Sequence, residues 1–247
     1  MLHLFGELIF PRRCAACQVE IDSGLLCDDC RNGLKEMRDF PPVDHLDGGL
    51  ILFAYEGFIK QAIHKVKFFH DKKIPYLLAE EAELLLNEPR IRESMINFLK
   101  GAGILSYNTE NYNEEENILR SRFEKEMTGQ WLWGGIPTDL KRLRERGFDL
   151  PTLLFANRAS DFGGTWQKIL CRTRTTLPMY GLGPEERRQN LQECFATVRN
   201  VAGKSVLLVD DIFTTGATFS AGAEELKKAG AVTVKGLAFC GSVENLR

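Results

Sequence analysis

The 247-residue sequence has no apolar run near the roughly 18–20 residues that a membrane-spanning helix needs. It also has little net charge, 32 Lys and Arg against 34 Asp and Glu, for a balance of −2. No global basic field announces a nucleic-acid partner, which excludes a surface that grips DNA all over. A basic n-region is missing, and Met1 to Phe10 is too short for the apolar core of a secretory leader; Arg12 and Arg13 come after it. The chain is therefore expected in the cytoplasm, where stable disulfides are rare. Neither a Walker loop ending in Gly-Lys-Ser/Thr nor a GxGxxG dinucleotide fingerprint occurs, and there is no internal repeat. With 44% hydrophobic and 27% charged residues, the chain is neither disordered nor collagen-like. Its length suits one large domain, or a medium domain with a small appendage.

Four of the seven cysteines form Cys14-x2-Cys17-x9-Cys27-x2-Cys30. Two residues between paired cysteines let both sulfurs of a knuckle turn toward one ion, and two knuckles close a shell of four thiolates. Two disulfides or redox-active CxxC pairs are the other readings. Neither pair sits at an evident strand-to-helix turn, and the compartment argues against bridges. A closed shell of protein ligands is expected to be a structural zinc site, which would stabilise this small segment by about 10–16 kcal/mol, apparent. Cys171, Cys194 and Cys240 stand singly among apolar neighbours and are expected to be buried, inert thiols.

The charge is uneven along the chain. Residues 1–40 sum to −2 and 41–135 to −4, while 136–199 sum to +4. Pro41 and Pro42 suggest a boundary, so 1–40 is read as a four-cysteine module and 41–247 as the main domain. In the main domain, Leu50–Tyr55 reads as a strand. Ile59, Ala62, Ile63, Val66 and Phe69 recur at helical spacing, with Lys60, Lys65 and Lys67 on the other faces. Helices are expected near 76–86 and 91–100. Residues 101–130, rich in Glu and poor in apolar side chains, read as an acidic insertion. Beyond it, strands are expected at 131–137 and 166–171, a helix at 149–160 with Asp149 as its N-cap, and a mobile loop at 173–183. Pro184, Glu185 and Glu186 open another helix. Val206–Val209 is a short apolar run that fits a strand buried on both faces, followed by an Ala-rich helix and a strand at 232–239. This alternation predicts an α/β fold with an open, mostly parallel sheet.

Ligands of such sheets bind beyond the carboxyl ends of strands, near helix N-termini. There the buried strand delivers Asp210 and Asp211, then Thr214-Thr215-Gly216-Ala217-Thr218. Adjacent carboxylates can accept hydrogen bonds from vicinal sugar hydroxyls or hold water around Mg²⁺. The loop offers backbone N–H groups, three hydroxyls and a helix start, which together suit a phosphate. The plain alternative is two solvent-facing acids and a Thr N-cap.

Val209-Asp210-Asp211-Ile212-Phe213-Thr214-Thr215-Gly216-Ala217-Thr218 resembles the signature of type I phosphoribosyltransferases, which bind the ribose 5-phosphate part of phosphoribosyl pyrophosphate (PRPP). The cysteine knuckles, Tyr55-x-Gly57, Lys67-Phe68, the run from Lys141 to Phe148, and Arg187-x2-Asn190 ahead of Phe195 are similar to the ComF family of competence-associated proteins. The resemblance implies a type I phosphoribosyltransferase-like fold with a small N-terminal zinc module. It implies PRPP with Mg²⁺ as ligand, and pentosyl transfer as the reaction open to it. It also implies a role in DNA uptake during natural transformation, with single-stranded DNA and competence or recombination proteins as partners. A non-enzymatic DNA-handling factor on the same scaffold is the alternative. Asp210 and Asp211 would take the ribose hydroxyls and the metal shell, and Thr214 to Thr218 the 5-phosphate. Lys141, Arg142, Arg144 and Arg146 would serve the pyrophosphate side, and Arg187 would belong to the closing loop. Displacing pyrophosphate builds negative charge on the leaving group, which such cations stabilise. A solvated helix start, or for Arg187 a salt-bridged surface, is the plain alternative for these charges. Asp149-Leu150-Pro151 and Met179 depart from the family's usual amides. A carboxylate at 149 would weaken anion binding unless it points away.

Overall fold

The computed structural model describes residues 12–68, 72–101, 131–176 and 183–242. The acidic insertion from residue 102 on, Met179 and the first eleven residues lie outside the described residues, as do the side chains of Arg187 and Arg188.

Burial decides which segments become central strands. Every position of β2 (Gly49–Ala54) is buried. β7 (Ser205–Phe213) and β8 (Thr233–Gly241) are almost as dry. Runs this apolar satisfy themselves only with helices on both faces. These strands lie in a six-stranded sheet of order β1-β2-β8-β7-β3-β4, with β1 (Lys35–Asp39), β3 (Trp131–Gly135) and β4 (Gly164–Trp166) completing it. Every pairing is parallel except β1 with β2. The expected α/β class with a mostly parallel sheet is borne out.

Successive residues of β7 point to opposite faces. Leu207 and Val209 join one core with Leu50, Phe53, Ile63 and Trp133, while Val206 and Leu208 join the other with Ile51, Phe219 and Leu226. Helices α2 (Gly57–Phe68), α3 (Ile74–Asn87), α4 (Pro89–Lys100) and α6 (Leu150–Phe155) supply the first core. The second is covered by α8 (Ala217–Lys228) and a separate antiparallel ribbon, β5 (Leu170–Arg172) with β6 (Phe195–Thr197). Two short helices remain, α5 (Leu140–Arg146) and α7 (Pro184–Leu191). No helix among the described residues is long and apolar enough to cross a membrane.

The N-terminal segment with its helix α1 (Asp28–Leu34) is packed into this body. Cys14, Leu25 and Leu26 are buried in the first core. Glu81 on α3 is fully buried beneath them. Its carboxylate accepts the backbone N–H groups of Leu25 (2.8 Å) and Leu26 (3.2 Å) and pairs with Arg31. Arg31 in turn reaches Asp28 at 2.5 Å and donates to the Leu26 carbonyl at 2.8 Å. Residues 35–39, at the end of the expected cysteine module, form the edge strand β1 of the main sheet.

Two expected elements come out differently. The helix foreseen over 149–160 ends at Phe155 and continues as two 3-10 turns closed by Gly163 (φ 68°). Tertiary pairing outweighs helical continuation there. Arg92 donates to the Asp161 carbonyl at 2.6 Å, and Arg158 bridges Glu83 (3.1 Å) and Asp161 (3.0 Å). The strand foreseen over 166–171 is two strands in two sheets. The chain leaves the main sheet after Gln167 donates to the Trp133 carbonyl, and it restarts in the ribbon. Cys194 and Cys240 are buried as expected, whereas Cys171 on the ribbon is half-buried.

Candidate functional site

β7 runs four residues further than its apolar stretch suggests, so Asp210 and Asp211 lie within the strand. Beyond Val209 it keeps its pairing with β8 (Asp210 opposite Ala238, Ile212 opposite Cys240), while β3 has already ended at Gly135. Two acids are thereby presented where one neighbouring strand has dropped away. Asp211 is buried, its backbone N–H donates to Asp210 Oδ1 at 2.8 Å, and Cys240 Sγ donates to its carbonyl at 3.3 Å.

Lys67, from the last turn of α2, places its ammonium 2.7 Å from Asp211 Oδ2. Burial and the Asp211 charge push the Asp210 carboxyl well above the usual carboxylate range. Burial works against the Asp211 charge too, but Lys67 outweighs it and holds that carboxyl below the usual range. The two carboxyls are thus shifted in opposite directions, and the more acidic one is the one that faces Lys67. Tyr55 lies close by, its phenol raised by burial and then by Cys240 and Asp211.

The basic run divides by helical phase. Lys141 and Arg144 are exposed on α5, whereas Arg142 and Arg146 share its half-buried face. Arg146 donates to the Lys67 carbonyl at 3.2 Å, and its Nε is buried without a partner. Burial lowers its pKa, with Asp211 pulling the other way. Asp139 caps α5 by accepting the Lys141 N–H at 3.0 Å. Asp149 is engaged at the start of α6, and its charge also acts on Arg146. Its oxygens cap α6 through the Thr152 N–H (3.2 Å) and hydroxyl (2.6 Å) and accept the Thr138 N–H (3.3 Å).

The loop after β7 exposes Thr214 and Thr215, with Ala217 and Thr218 half-buried at the start of α8. Gly216 occupies the N-cap in the left-handed region (φ 76°) and accepts the Ser220 N–H at 2.8 Å. The aligned N–H groups of this 12-residue helix start at the loop. A Cβ at Gly216 would sit 2.7 Å from Val43 Cγ2. Gly216→Ala is therefore expected to lower stability by about 1–2 kcal/mol for the backbone conformation alone. Chemical denaturation reads this, and an unchanged midpoint would mean the loop readily takes another shape.

The sequence does not single out Lys67 or Arg172, which the fold brings beside the acid pair and the end of β3. Helical spacing puts Lys67 on an outer face of α2, and only its place before Phe68 in the family resemblance points otherwise. Arg172 donates to the Pro137 carbonyl at 2.7 Å and to Thr176 Oγ1 at 2.9 Å, above the Phe195 ring. Burial lowers its pKa, while Cys194, Asp139 and Asp210 act in the opposite sense. It lines a cavity of about 430 Å³ with Pro137, Leu143 and Asp149 at the carboxyl end of β3. A larger cleft of about 800 Å³ runs from Thr215 and Gly216 along α8 to Lys228. That cleft touches the loop, but neither Asp210 nor Asp211 lines it.

Cys14, Cys17, Cys27 and Cys30 bring their sulfurs within 4.8 Å of one another, with Cys17 and Cys27 at 3.6 Å. Zinc–sulfur bonds of about 2.3 Å would set sulfurs about 3.8 Å apart, so the four could hold a zinc ion. Burial opposes ionisation of Cys14, but the N–H groups of Cys17, Cys27 and Ala16 outweigh it and bring that thiol to about 6. Crowding by Cys27 and Cys17 pushes Cys30 up to about 12.

The phosphoribosyl transferase domain model matches residues 173–244. The DNA utilization protein YhgH of Salmonella typhi is 32% identical over 106 residues, covering 42% of this chain. The chain spans about half, 47%, of that relative's length. A ribose-phosphate pyrophosphokinase of Vibrio parahaemolyticus is 30% identical over 106 residues, 40% of this chain and 31% of that enzyme. The phosphoribosylpyrophosphate synthetase structure from Mycobacterium smegmatis aligns over 78% of this chain and 53% of its own at 17% identity, with a TM-score of 0.33. The phosphoribosyl transferase domain, the homology to YhgH and the four-cysteine cluster at the N-terminus are together consistent with a ComF-family protein.

Proposed function

We propose that the chain binds a ribose 5-phosphate ligand, PRPP with Mg²⁺, in the service of DNA use. The observation that carries this reading is the continuity of one strand and one loop. Asp210 and Asp211 precede Thr214 to Thr218 at the N-terminus of α8, with Lys67 paired to Asp211 and Arg146 held on the Lys67 carbonyl. In this reading residues 1–40 carry the metal module and 41–247 the ligand-binding domain.

The roles follow from the chemistry of the groups. Asp210 and Asp211 accept hydrogen bonds from the vicinal ribose hydroxyls, and as hard oxygen donors they suit the shell of Mg²⁺. Bound Mg²⁺ would neutralise charge on the pyrophosphate oxygens. The loop N–H groups and the hydroxyls of Thr214, Thr215 and Thr218 hold the 5-phosphate around Gly216 and Ala217. Arg142 and Arg146 face the pyrophosphate side, Lys141 and Arg144 stand behind them as a solvent-facing positive field, and Arg187 belongs to the segment that closes over the ligand. Cys14, Cys17, Cys27 and Cys30 hold structural zinc.

Calorimetric titration of PRPP with and without Mg²⁺ tests the reading. Wild type is expected to release heat with Mg²⁺ present, and Asp211→Asn to bind about tenfold more weakly or worse, a loss of about 1.4 kcal/mol. No heat for wild type, or unchanged affinity in Asp211→Asn, overturns it.

The +4 balance of residues 136–199, with relatives named for DNA utilization, favours a second role in handling single-stranded DNA. Electrostatic binding of that kind weakens steeply with salt. Affinity for an oligonucleotide that ignores ionic strength would count against it.

A further inference from the structure

Lys67 stands where no catalytic or binding role has been assigned to a residue of α2. Its side chain is about three-quarters buried, and its ammonium is fixed 2.7 Å from the oxygen of a carboxylate that is itself dry. Arg146 on α5 donates to the Lys67 carbonyl, and its charge acts on Asp211 from this second helix. Of the two cations, Lys67 is the one that pairs with the acid directly. The groups facing Lys67 across this space are Asp210, Asp211, Tyr55, Cys240 and Arg146. An ammonium on Asp211 and a divalent cation on Asp211 compete for the same oxygens. A lysine also has a compact charge on a flexible four-carbon stem, which can turn to a new anion without moving its backbone.

We propose that Lys67 is a built-in counter-cation of this site. It holds the Asp211 carboxylate until a ligand's phosphate groups draw it off, so it keeps free divalent cations from the acid pair and then binds the anionic ligand. The second half of this proposal rests on the ribose-phosphate reading given above; the first half stands on the ion pair alone. The consequence is an order of entry. Metal enters with the phosphorylated ligand rather than ahead of it, and polyanions that carry their own Mg²⁺ are preferred over metal alone. Lys67 is in this sense a specificity-determining residue.

Two probes on the full-length protein separate the halves. Mn²⁺ alone, followed by electron paramagnetic resonance, reports on the acids. PRPP with Mg²⁺, followed by calorimetry, reports on the ligand. Lys67→Met is expected to bind Mn²⁺ about tenfold more tightly than wild type and PRPP with Mg²⁺ about tenfold more weakly. Lys67→Arg keeps the positive charge and is expected to keep Mn²⁺ out. Adding Asp211→Asn to Lys67→Met is expected to erase the gain in Mn²⁺ affinity, which fixes that gain to this carboxylate. Circular dichroism of each variant establishes that it is folded, and Lys67→Gln, which also removes the charge but keeps a polar end, carries the comparison should the methionine variant not fold. Mn²⁺ affinity in Lys67→Met no higher than in wild type overturns the proposal. If wild type binds no PRPP while the Mn²⁺ gain appears, the counter-cation stands and the ribose-phosphate reading falls. If wild type binds PRPP and Lys67→Met binds it equally well, the ligand half of the proposal fails by itself.

Discussion

Glu81→Ala is expected to destabilise the fold by about 3–5 kcal/mol, the usual loss when one partner of a buried ion pair is removed. The carboxylate is fully buried and answers three donors at once: Arg31 and the backbone N–H groups of Leu25 and Leu26. Truncation leaves a largely buried guanidinium and two amides without their acceptor, and it opens a cavity between α3 and the N-terminal segment. Glu81→Gln preserves the shape and one acceptor oxygen, so it should fall between alanine and wild type. Urea denaturation measures both. A loss under about 1 kcal/mol for alanine would mean that the N-terminal segment lifts off its helix and lets water serve the freed groups. Gly24 makes the same point in reverse, since a Cβ there would lie 2.6 Å from Glu81 Oε2.

Removing metal from the cysteine cluster is expected to have the other large effect. Elemental analysis should find about one zinc per chain, and a strong chelator should lower the thermal midpoint by more than about 10 °C. The size of the shift follows from how the knuckles are built in. Cys14 lies in the same core as Phe53, Ile63 and Trp133, alongside Leu25 and Leu26. Letting go of the four sulfurs therefore loosens apolar contacts with α2, α3 and α4 as well as the knuckles themselves. The transition should move as a whole rather than split off a small early step. Cys27→Ser should reproduce the shift without chelator. A midpoint indifferent to both treatments would rule out a structural metal.

Much of this architecture was legible because its signals are local. The run Val206–Val209 marks a strand dry on both faces wherever it is placed. The spacing of Ile59, Ala62, Ile63 and Val66 marks one face of α2, and all four are indeed buried. The knuckle spacing is a local signal too, since two residues between cysteines suffice to turn both sulfurs one way. The loop from Thr214 to Thr218 is a contiguous run that needs no distant residue to suggest an anion. Boundaries were less legible. β7 extends through its two acids because β8 continues to pair with it, which nothing inside residues 206–213 reveals. Helix α6 stops early because Arg92, 69 residues away, takes the Asp161 carbonyl and because Arg158 is drawn to Glu83 on α3.

The polar partnerships were the least legible part. Arg31 and Glu81 are 50 residues apart, and nothing about a glutamate in an amphipathic helix says that it faces inward. Lys67 and Asp211 are farther apart still, and helical phase alone assigned Lys67 to solvent. Residue order determines which faces are apolar, where turns fall, which cysteines can share an ion and which loop can cradle a phosphate, because all of these depend on neighbours within a few positions. Which charges meet is decided by the packing of α2, α3 and α5 against β7 and the N-terminal segment. Coulomb attraction between buried groups depends on distance in space and on the exclusion of water, and neither exists before the chain has folded.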